Sequence, residues 1–158
     1  MRSFFIICVV LIDVLLTRFS AQIAIADWKL LENQDVLDLR SVIYIETESC
    51  KYCTAMHRTT FRQEEVQQLL SQYFYFFKLK TSEKKPLKFL NVDYHFKPTG
   101  PDVGVHELAE TLATTEKGTF YPTLIFLDQK KNIVAQYNGF LSAEDLSKIL
   151  KFLIKKSL

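Results

Sequence analysis

The chain has 158 residues, with 20 lysines and arginines against 18 aspartates and glutamates. This length is enough for one domain with a buried core. The formal net charge of +2 at pH 7 is too small to indicate binding to a polyanion. We therefore expect one domain and no nucleic-acid partner.

The N-terminal segment has the pattern of a secretory signal peptide. Arg2 precedes an apolar run over residues 4–16, which is short for a membrane span and is interrupted by Asp13. We therefore expect the protein to be exported. Because Asp13 weakens the apolar run, an uncleaved membrane anchor is the alternative that stays open.

Cleavage of such a signal requires small side chains at its last and third-last positions, which Ala26 and Ala24 supply. The sequence therefore predicts a signal peptide at 1–26 and a mature domain at 27–158. Cys8 would leave with the signal. The mature chain would then keep two cysteines, which suits an oxidising compartment because no spare thiol could mispair.

A short helical segment is expected between residues 27 and 40, and an apolar, β-branched run then predicts a buried strand over 42–46. Directly after that strand, Cys50 and Cys53 form a C-x-x-C motif that leads into residues able to form a helix. A pair of cysteines at a strand-to-helix turn is typical of redox chemistry.

The start of a helix favours a thiolate over a thiol, because unpaired backbone N–H groups and a partial positive charge lie there. Cys50 occupies this position, and Lys51 adds a positive charge beside it. Both effects lower the pKa of the Cys50 thiol. Cys53, one turn further on, is placed to attack any mixed disulfide that Cys50 forms.

Other interpretations of C-x-x-C are half of a zinc site, a structural disulfide and coincidence. A tetrahedral zinc site needs four ligands, and the only other cysteine is Cys8. With His57, however, Cys50 and Cys53 could hold copper or zinc with help from outside, so a metal-handling protein is the alternative function. A redox-inert interaction module is a third possibility.

The middle of the chain predicts a helix and a strand. Val66, Leu69, Leu70 and Tyr73 have helical spacing, and Thr60 followed by Gln63 could cap that helix. A strand is expected from Tyr73 to Lys80, and we assign its aromatic run at 74–77 to core packing.

Residues 81–104 are irregular in pattern and hold three of the four prolines. A segment of this length in a compact domain indicates a short hairpin or an excursion that shapes the substrate site, and the alternative is an insertion without a role. An amphipathic helix from Val105 to Ala113 follows, with Asp102 as its expected cap.

The last third predicts a buried strand over 119–127 that contains Pro122, a hairpin back to residues 133–137, and a final helix beginning at Ser142. The expected order is β-α-β-α-β-β-α. This order predicts an α/β fold with a mixed central sheet flanked by helices on both faces.

The chain from 27 to 158 resembles the thioredoxin fold, in its C-x-x-C at the head of a helix, its Pro122-Thr123 pair before a strand and its closing hairpin and helix. More narrowly, it resembles the SoxW-like branch of exported bacterial thioredoxins. This likeness lies in the segment Glu46-x-x-x-Cys50-x-Tyr52-Cys53-x-x-Met56-His57-x-x-x-Phe61 and in Gly139-Phe140-Leu141.

The resemblance implies a thiol:disulfide oxidoreductase in the periplasm that reduces protein disulfides. Cys50 would be the attacking thiol and Cys53 the resolving thiol. Pro122 would follow a cis bond that turns the Tyr121 backbone toward an extended substrate. We expect no cofactor beyond the Cys50–Cys53 disulfide. The expected partners are substrate proteins and an upstream membrane thiol electron donor, and the protein itself is expected to be a monomer.

The chain departs from thioredoxins proper at two positions. Ser49 precedes the motif in place of tryptophan, and Tyr44 holds the position of their buried acid. The proton relay for the resolving thiol would then come from Glu46, Glu48 or His57, although for each of them an ordinary solvated or capping role is the favoured interpretation.

Four side chains are expected to adjust the site. Lys51, Tyr52 and Glu46 are candidates for tuning the redox potential. Tyr121 stands where the family has a small residue, so it is expected to narrow the substrate groove.

Overall fold

The computed structural model describes residues 22–33 and 37–156. Residues 1–21 of the predicted signal peptide, including Cys8, therefore lie outside the described residues. Within the described part of the chain, no helix is long and apolar enough to cross a membrane.

Five α-helices and ten strands make up the described chain. The helices are α1 (Trp28–Asn33), α2 (Lys51–Arg58), α3 (Glu64–Tyr73), α4 (Glu107–Ala113) and α5 (Ala143–Lys155). The strands are β1 (Arg40–Glu46), β2 (Phe74–Lys80), β3 (Leu87–Phe89), β4 (Val92–Tyr94), β5 (Phe96–Gly100), β6 (Val103–His106), β7 (Thr114–Thr115), β8 (Gly118–Thr119), β9 (Thr123–Leu127) and β10 (Ile133–Asn138).

Four strands form the central sheet in the order β10-β9-β1-β2. β1 is parallel to β2 and antiparallel to β9, and β9 is antiparallel to β10. The helices between β1 and β2 provide the crossover that a parallel pair requires. The sheet is therefore mixed, which confirms the predicted α/β class.

Alternating side chains of the sheet form two core clusters. The first lies under α2, α3 and α5, and its members include Val42, Tyr44, Phe61, Phe76 and Leu150. The second lies under α1 and α4, and its members include Ile43, Ile45, Phe77, Leu108 and Ile125. Helices thus cover both faces, and the aromatic run at 74–77 packs in the core as predicted.

The strand ends that position the site lie at one edge of the central sheet. β1 and β2 are parallel, so the residues that follow them leave the sheet at the same edge. β9 starts at that edge, because Thr123 pairs with Ile45. Ser49 makes the turn from β1 into α2 with a positive φ of 58°. The C-x-x-C motif therefore begins where these three strand ends meet.

Thr60 does not cap α3. Its hydroxyl donates to the carbonyl of Leu141 at 2.6 Å, and a short 3-10 helix (Thr60–Arg62) separates it from α3. Gln63 is the capping residue and makes no side-chain cap bond. The prediction failed because the Thr60 hydroxyl donates to a backbone carbonyl that is distant in sequence.

Asp102 does not cap α4 either. It lies in the turn between β5 and β6 with a positive φ of 57°. Val105 belongs to β6 rather than to the helix, and the cap of α4 is His106, whose Nδ1 accepts the N–H of Leu108 at 3.2 Å. The predicted strand over 119–127 is also shorter than expected, because Thr119 pairs with Thr114 in a separate hairpin.

Residues 81–106, which we call the double-hairpin segment, contain two hairpins, β3–β4 and β5–β6, which confirms the expectation of hairpin structure here. Buried His106 ties them to the sheet. Its backbone N–H donates to the backbone carbonyl of Thr81 at 2.7 Å, and its ring Nε2 donates to the backbone carbonyl of Lys85 at 3.1 Å. Because Nδ1 accepts from Leu108, the imidazole is used as a neutral ring.

Residues 22–26 lie along the outer edge of β2. Ile25 forms a parallel bridge with Phe76, and the N–H of Ala26 donates to the Phe76 carbonyl at 2.8 Å. Ile23 packs against the first core cluster. This part of the predicted signal therefore contacts the fold.

We expect a chain that starts at Asp27 to be less stable than one that starts at Gln22. It loses one backbone hydrogen bond and the packing of Ile23, which together should lower the free energy of unfolding by about 1–2 kcal/mol. Urea denaturation of the two chains measures this difference. Ile25→Ala in the longer chain is the control and should have little effect, because that side chain is 62% exposed. Equal urea midpoints for the two chains would show that residues 22–26 do not stabilise the fold.

His106 should make stability depend on pH. Burial lowers its pKa, and its hydrogen bond to Lys85 and neighbouring charges only partly oppose this. The unfolded chain then binds this proton more readily than the folded chain. Stability should therefore be complete above the ordinary histidine pKa of about 6.5 and should fall as the pH drops below it.

We expect His106→Asn to be less stable at pH 7.5 and to lose part of the wild-type decline in the free energy of unfolding between pH 7.5 and 5.5. That part is about 1.4 kcal/mol for each unit by which the pKa is lowered. Urea titrations at both pH values measure it, and His95→Asn, at an exposed site, should keep the wild-type decline. An unchanged pH dependence in His106→Asn would show that the imidazole does not act in this way.

Candidate active site

Cys50 and Cys53 form a disulfide across the first turn of α2, with their Cα atoms 5.2 Å apart. Cys50 is the N-cap residue of that helix, and its Sγ accepts the backbone N–H of Cys53 at 3.0 Å. A donor aimed at this sulfur at a helix start would stabilise a thiolate there.

The two sulfurs differ in their access to solvent. Cys50 is half-buried, whereas Cys53 is only 3% exposed. A partner disulfide can therefore reach Cys50 more readily than Cys53. This asymmetry supports the roles of attacking and resolving thiol, which stay predictions.

Lys51 and Tyr52 lie between the cysteines on the first turn of α2 and are exposed, Tyr52 by 64%. Their side chains border the surface that a partner protein would approach. Their effect on the redox potential stays a prediction.

Glu46 is the centre of a charged cluster beside the disulfide. It is only 8% exposed; its Oε1 contacts Nζ of Lys78 at 2.8 Å, and its Oε2 contacts Nε2 of His57 at 2.5 Å. Burial alone would raise the pKa of this carboxyl, but the hydrogen bonds from Lys78 and His57 and the charge of Lys78 outweigh burial and lower it. Glu46 is thus held as a carboxylate.

Lys78 was not among the residues predicted for the site. Its signal is its position in the aromatic strand, because Lys78 shares the parity of Phe74 and Phe76, which face the first core cluster. A lysine on the inward side of a strand indicates a buried partner. That partner is Glu46.

Tyr44 is fully buried, and its hydroxyl donates to the Cys53 carbonyl at 3.4 Å. Burial, and then the charge of Glu46, raise the pKa of the Tyr44 phenol further from neutrality. Tyr44 therefore stays protonated and cannot replace an acid that loses and gains a proton at neutral pH.

Glu48 forms its hydrogen bond outside this cluster. Its Oε1 accepts the hydroxyl of Ser82 at 3.0 Å, and the hydroxyl of Thr81 donates to that of Thr47 at 2.8 Å. These bonds join the loop before Cys50 to the start of the double-hairpin segment. The segment thus begins next to the disulfide.

A cavity of about 260 Å³ opens beside the disulfide. It brings the two cysteines together with all three members of the charged cluster. Its lining consists of Glu46, Thr47, Glu48, Ser49, Cys50, Cys53, Thr54, His57, Lys78 and Lys80.

The Tyr121–Pro122 peptide bond is cis, as the resemblance implies. The Pro122 carbonyl accepts the N–H of Gly139 at 2.7 Å. The Tyr121 side chain is half-buried and packs against the second core cluster, so part of it is directed into the core. The contact of these two residues with a substrate stays a prediction.

The metal alternative gains no support from this arrangement. Among the described residues, no group of three or more histidine, cysteine or acidic side chains is placed to hold an ion. His57, the ligand that this alternative requires, has its Nε2 on Glu46.

The fold and a C-x-x-C disulfide at a helix start define the class of thioredoxin-fold proteins with a redox-type cysteine pair. The sequence pattern of the thioredoxin-like domain family matches residues 36–154. The chain belongs to this family. None of the curated proteins compared with the chain matches it in sequence.

Solved structures are similar in fold. A thioredoxin from Thermus thermophilus is 19% identical, with 75% of each chain covered and a TM-score of 0.52. A thioredoxin-fold protein from Helicobacter pylori is 18% identical over 82% of this chain and 97% of its own, with a TM-score of 0.49. The reduced C-terminal domain of DsbD from Neisseria meningitidis is 15% identical over 79% and 88%, also at 0.49. At these identities the likeness is one of fold.

Proposed function

We propose that the protein is an exported thiol:disulfide oxidoreductase that exchanges electrons between its Cys50–Cys53 pair and cysteine pairs of other proteins. One observation carries the proposal: Cys50 caps α2 and accepts the Cys53 N–H, while Cys53 is buried behind it. A structural disulfide would not need this difference in access.

The reaction proceeds in two exchanges. The Cys50 thiolate attacks a substrate disulfide, forms a mixed disulfide and releases one substrate sulfur as a thiolate. Cys53 then attacks Cys50, the second substrate sulfur leaves, and the Cys50–Cys53 disulfide forms. Two electrons pass to the substrate, which gains two protons as its thiols form.

The proposal extends to location and direction. The motif segment from Glu46 to Phe61 resembles the SoxW-like branch, and this resemblance supports a location in the periplasm and a role as a reductant. Residues 1–26 would direct its export, and a membrane thiol donor would reduce it again. We propose that it acts as a monomer. An oxidant or isomerase is the alternative direction, and the reduction potential of the pair distinguishes the two.

The substrate would approach over Cys50, beside the backbone of Tyr121 and Pro122. The double hairpin would border this approach, because Thr81 and Ser82 bond to Thr47 and Glu48 in the loop that precedes Cys50. This anchoring supports a substrate-shaping role for the segment over an insertion without a role.

We expect Cys53→Ala to trap substrate and Cys50→Ala to be inert. Without Cys53, the mixed disulfide on Cys50 cannot be resolved, so a peptide that contains a disulfide should remain bound to the protein. Non-reducing electrophoresis and mass spectrometry measure the adduct, and dithiothreitol should release it. Cys50→Ala is the matched control, because it keeps one cysteine of the same pair.

The opposite result would be equal trapping by the two variants, or trapping by neither. If, in addition, the reduced wild-type protein bound copper or zinc tightly and His57→Ala abolished that binding, the protein would be a metal-handling protein instead.

A further inference from the structure

We propose that Glu46, His57 and Lys78 form a proton relay for Cys53, in which His57 takes the thiol proton and the other two position it. This inference rests on the proposed oxidoreductase function. It assigns to a three-residue cluster the task for which thioredoxins proper carry a buried acid at the position of Tyr44.

The cluster lies on the same cavity as the resolving cysteine. His57 follows Cys53 by four residues on α2, so both side chains project from one side of the helix. Both cysteines and all three cluster residues line the cavity of about 260 Å³. This volume can hold several water molecules, which occupy about 30 Å³ each, so water can carry a proton from Cys53 to His57.

The contacts of His57 fix which nitrogen can act. Nε2 faces Oε2 of Glu46 at 2.5 Å, so a neutral ring donates its Nε2 proton to the carboxylate and carries its lone pair on Nδ1. Nδ1 is then the atom that accepts a proton. The Glu46 carboxylate stabilises the imidazolium that results, as an acid does for a catalytic histidine.

Lys78 keeps Glu46 in this role. Its Nζ binds Oε1 at 2.8 Å, which leaves Oε2 directed at His57. Lys78 and Glu46 are therefore positioning residues. Tyr44 contacts the His57 ring edge-on, with ring centroids 5.4 Å apart, and this packing favours one orientation of the ring.

Among the described residues, the charged side chains that line the cavity besides the relay are Glu48 and Lys80, and Glu48 bonds to Ser82. On its other side, His57 borders a second cavity of about 290 Å³, to which residues 22–26 contribute only the uncharged Gln22, Ile23 and Ile25. The described N-terminal segment thus adds no competing charge.

The relay acts in the second exchange. The Cys53 thiol gives its proton to Nδ1 of His57 as its sulfur attacks Cys50. The bond between Cys50 and the substrate sulfur breaks, and that sulfur leaves with the electron pair. The proton on His57 then passes to the leaving thiolate, so the protein ends as the disulfide with a neutral histidine.

A single-turnover experiment tests this step. Reduced protein is mixed with 5,5′-dithiobis(2-nitrobenzoate); the first thionitrobenzoate reports attack by Cys50 and the second reports resolution by Cys53. At pH 7, we expect His57→Gln and Glu46→Gln to slow the second release about tenfold or more, since a positioned base typically contributes a factor of 10² to 10⁴. The first release should change little.

The pH profile separates a relay from a merely structural effect. The difference from wild type should disappear at high pH, where Cys53 ionises without a base, and imidazole added to His57→Ala should restore part of the rate at pH 7. Glu144→Gln is the control, because Glu144 is exposed on α5 and pairs with Lys148 rather than lining the cavity, and it should follow wild type. Circular dichroism verifies that each variant is folded.

The outcomes distinguish the two proposals. If the wild-type protein forms no mixed disulfide on Cys50, the oxidoreductase proposal itself fails. If wild type resolves its mixed disulfide but His57→Gln and Glu46→Gln match it at every pH, only the relay is overturned. A loss that is the same at all pH values and is not rescued by imidazole would also overturn the relay.

Discussion

The parallel pairing of β1 with β2 is the constraint on which the site depends. Its register sets Tyr44 opposite Lys78 and Glu46 opposite Lys80. Lys78 therefore lies one pleat behind Glu46 on the face that α2 covers, within reach of its carboxylate. The same pairing brings the ends of both strands to one edge of the sheet, where the turn into Cys50 begins.

The charged cluster links the stability of the fold to its chemistry. A carboxylate as buried as Glu46 loses much of its hydration, which charged hydrogen-bond partners can replace. Lys78 and His57 supply those partners from two different elements, so the cluster exists only when β2 and α2 are both in place. The cluster lines the same cavity as Cys53, which is the basis of the proposed proton relay.

Local patterns predicted most of the fold. The apolar run before Cys50, the aromatic strand and the capped final helix all follow from periodicity and turn residues close in sequence. The predictions for Thr60 and Asp102 failed, because the Thr60 hydroxyl has a partner 81 residues away and Asp102 lies in a hairpin turn. Lys78 was missed for the same reason, since its partner depends on a strand register that one strand does not reveal.

We propose that Cys50 is the reactive thiol of an asymmetric pair. The most direct test is alkylation of the reduced protein with iodoacetamide across a pH series, with mass spectrometry to locate the modification. We predict that Cys50 reacts rapidly well below the ordinary cysteine pKa of about 8.5, while Cys53 stays largely unmodified. Equal reactivity of both cysteines, with the pH dependence of an ordinary thiol, would show that the pair is not asymmetric and that Cys50 is not the reactive thiol.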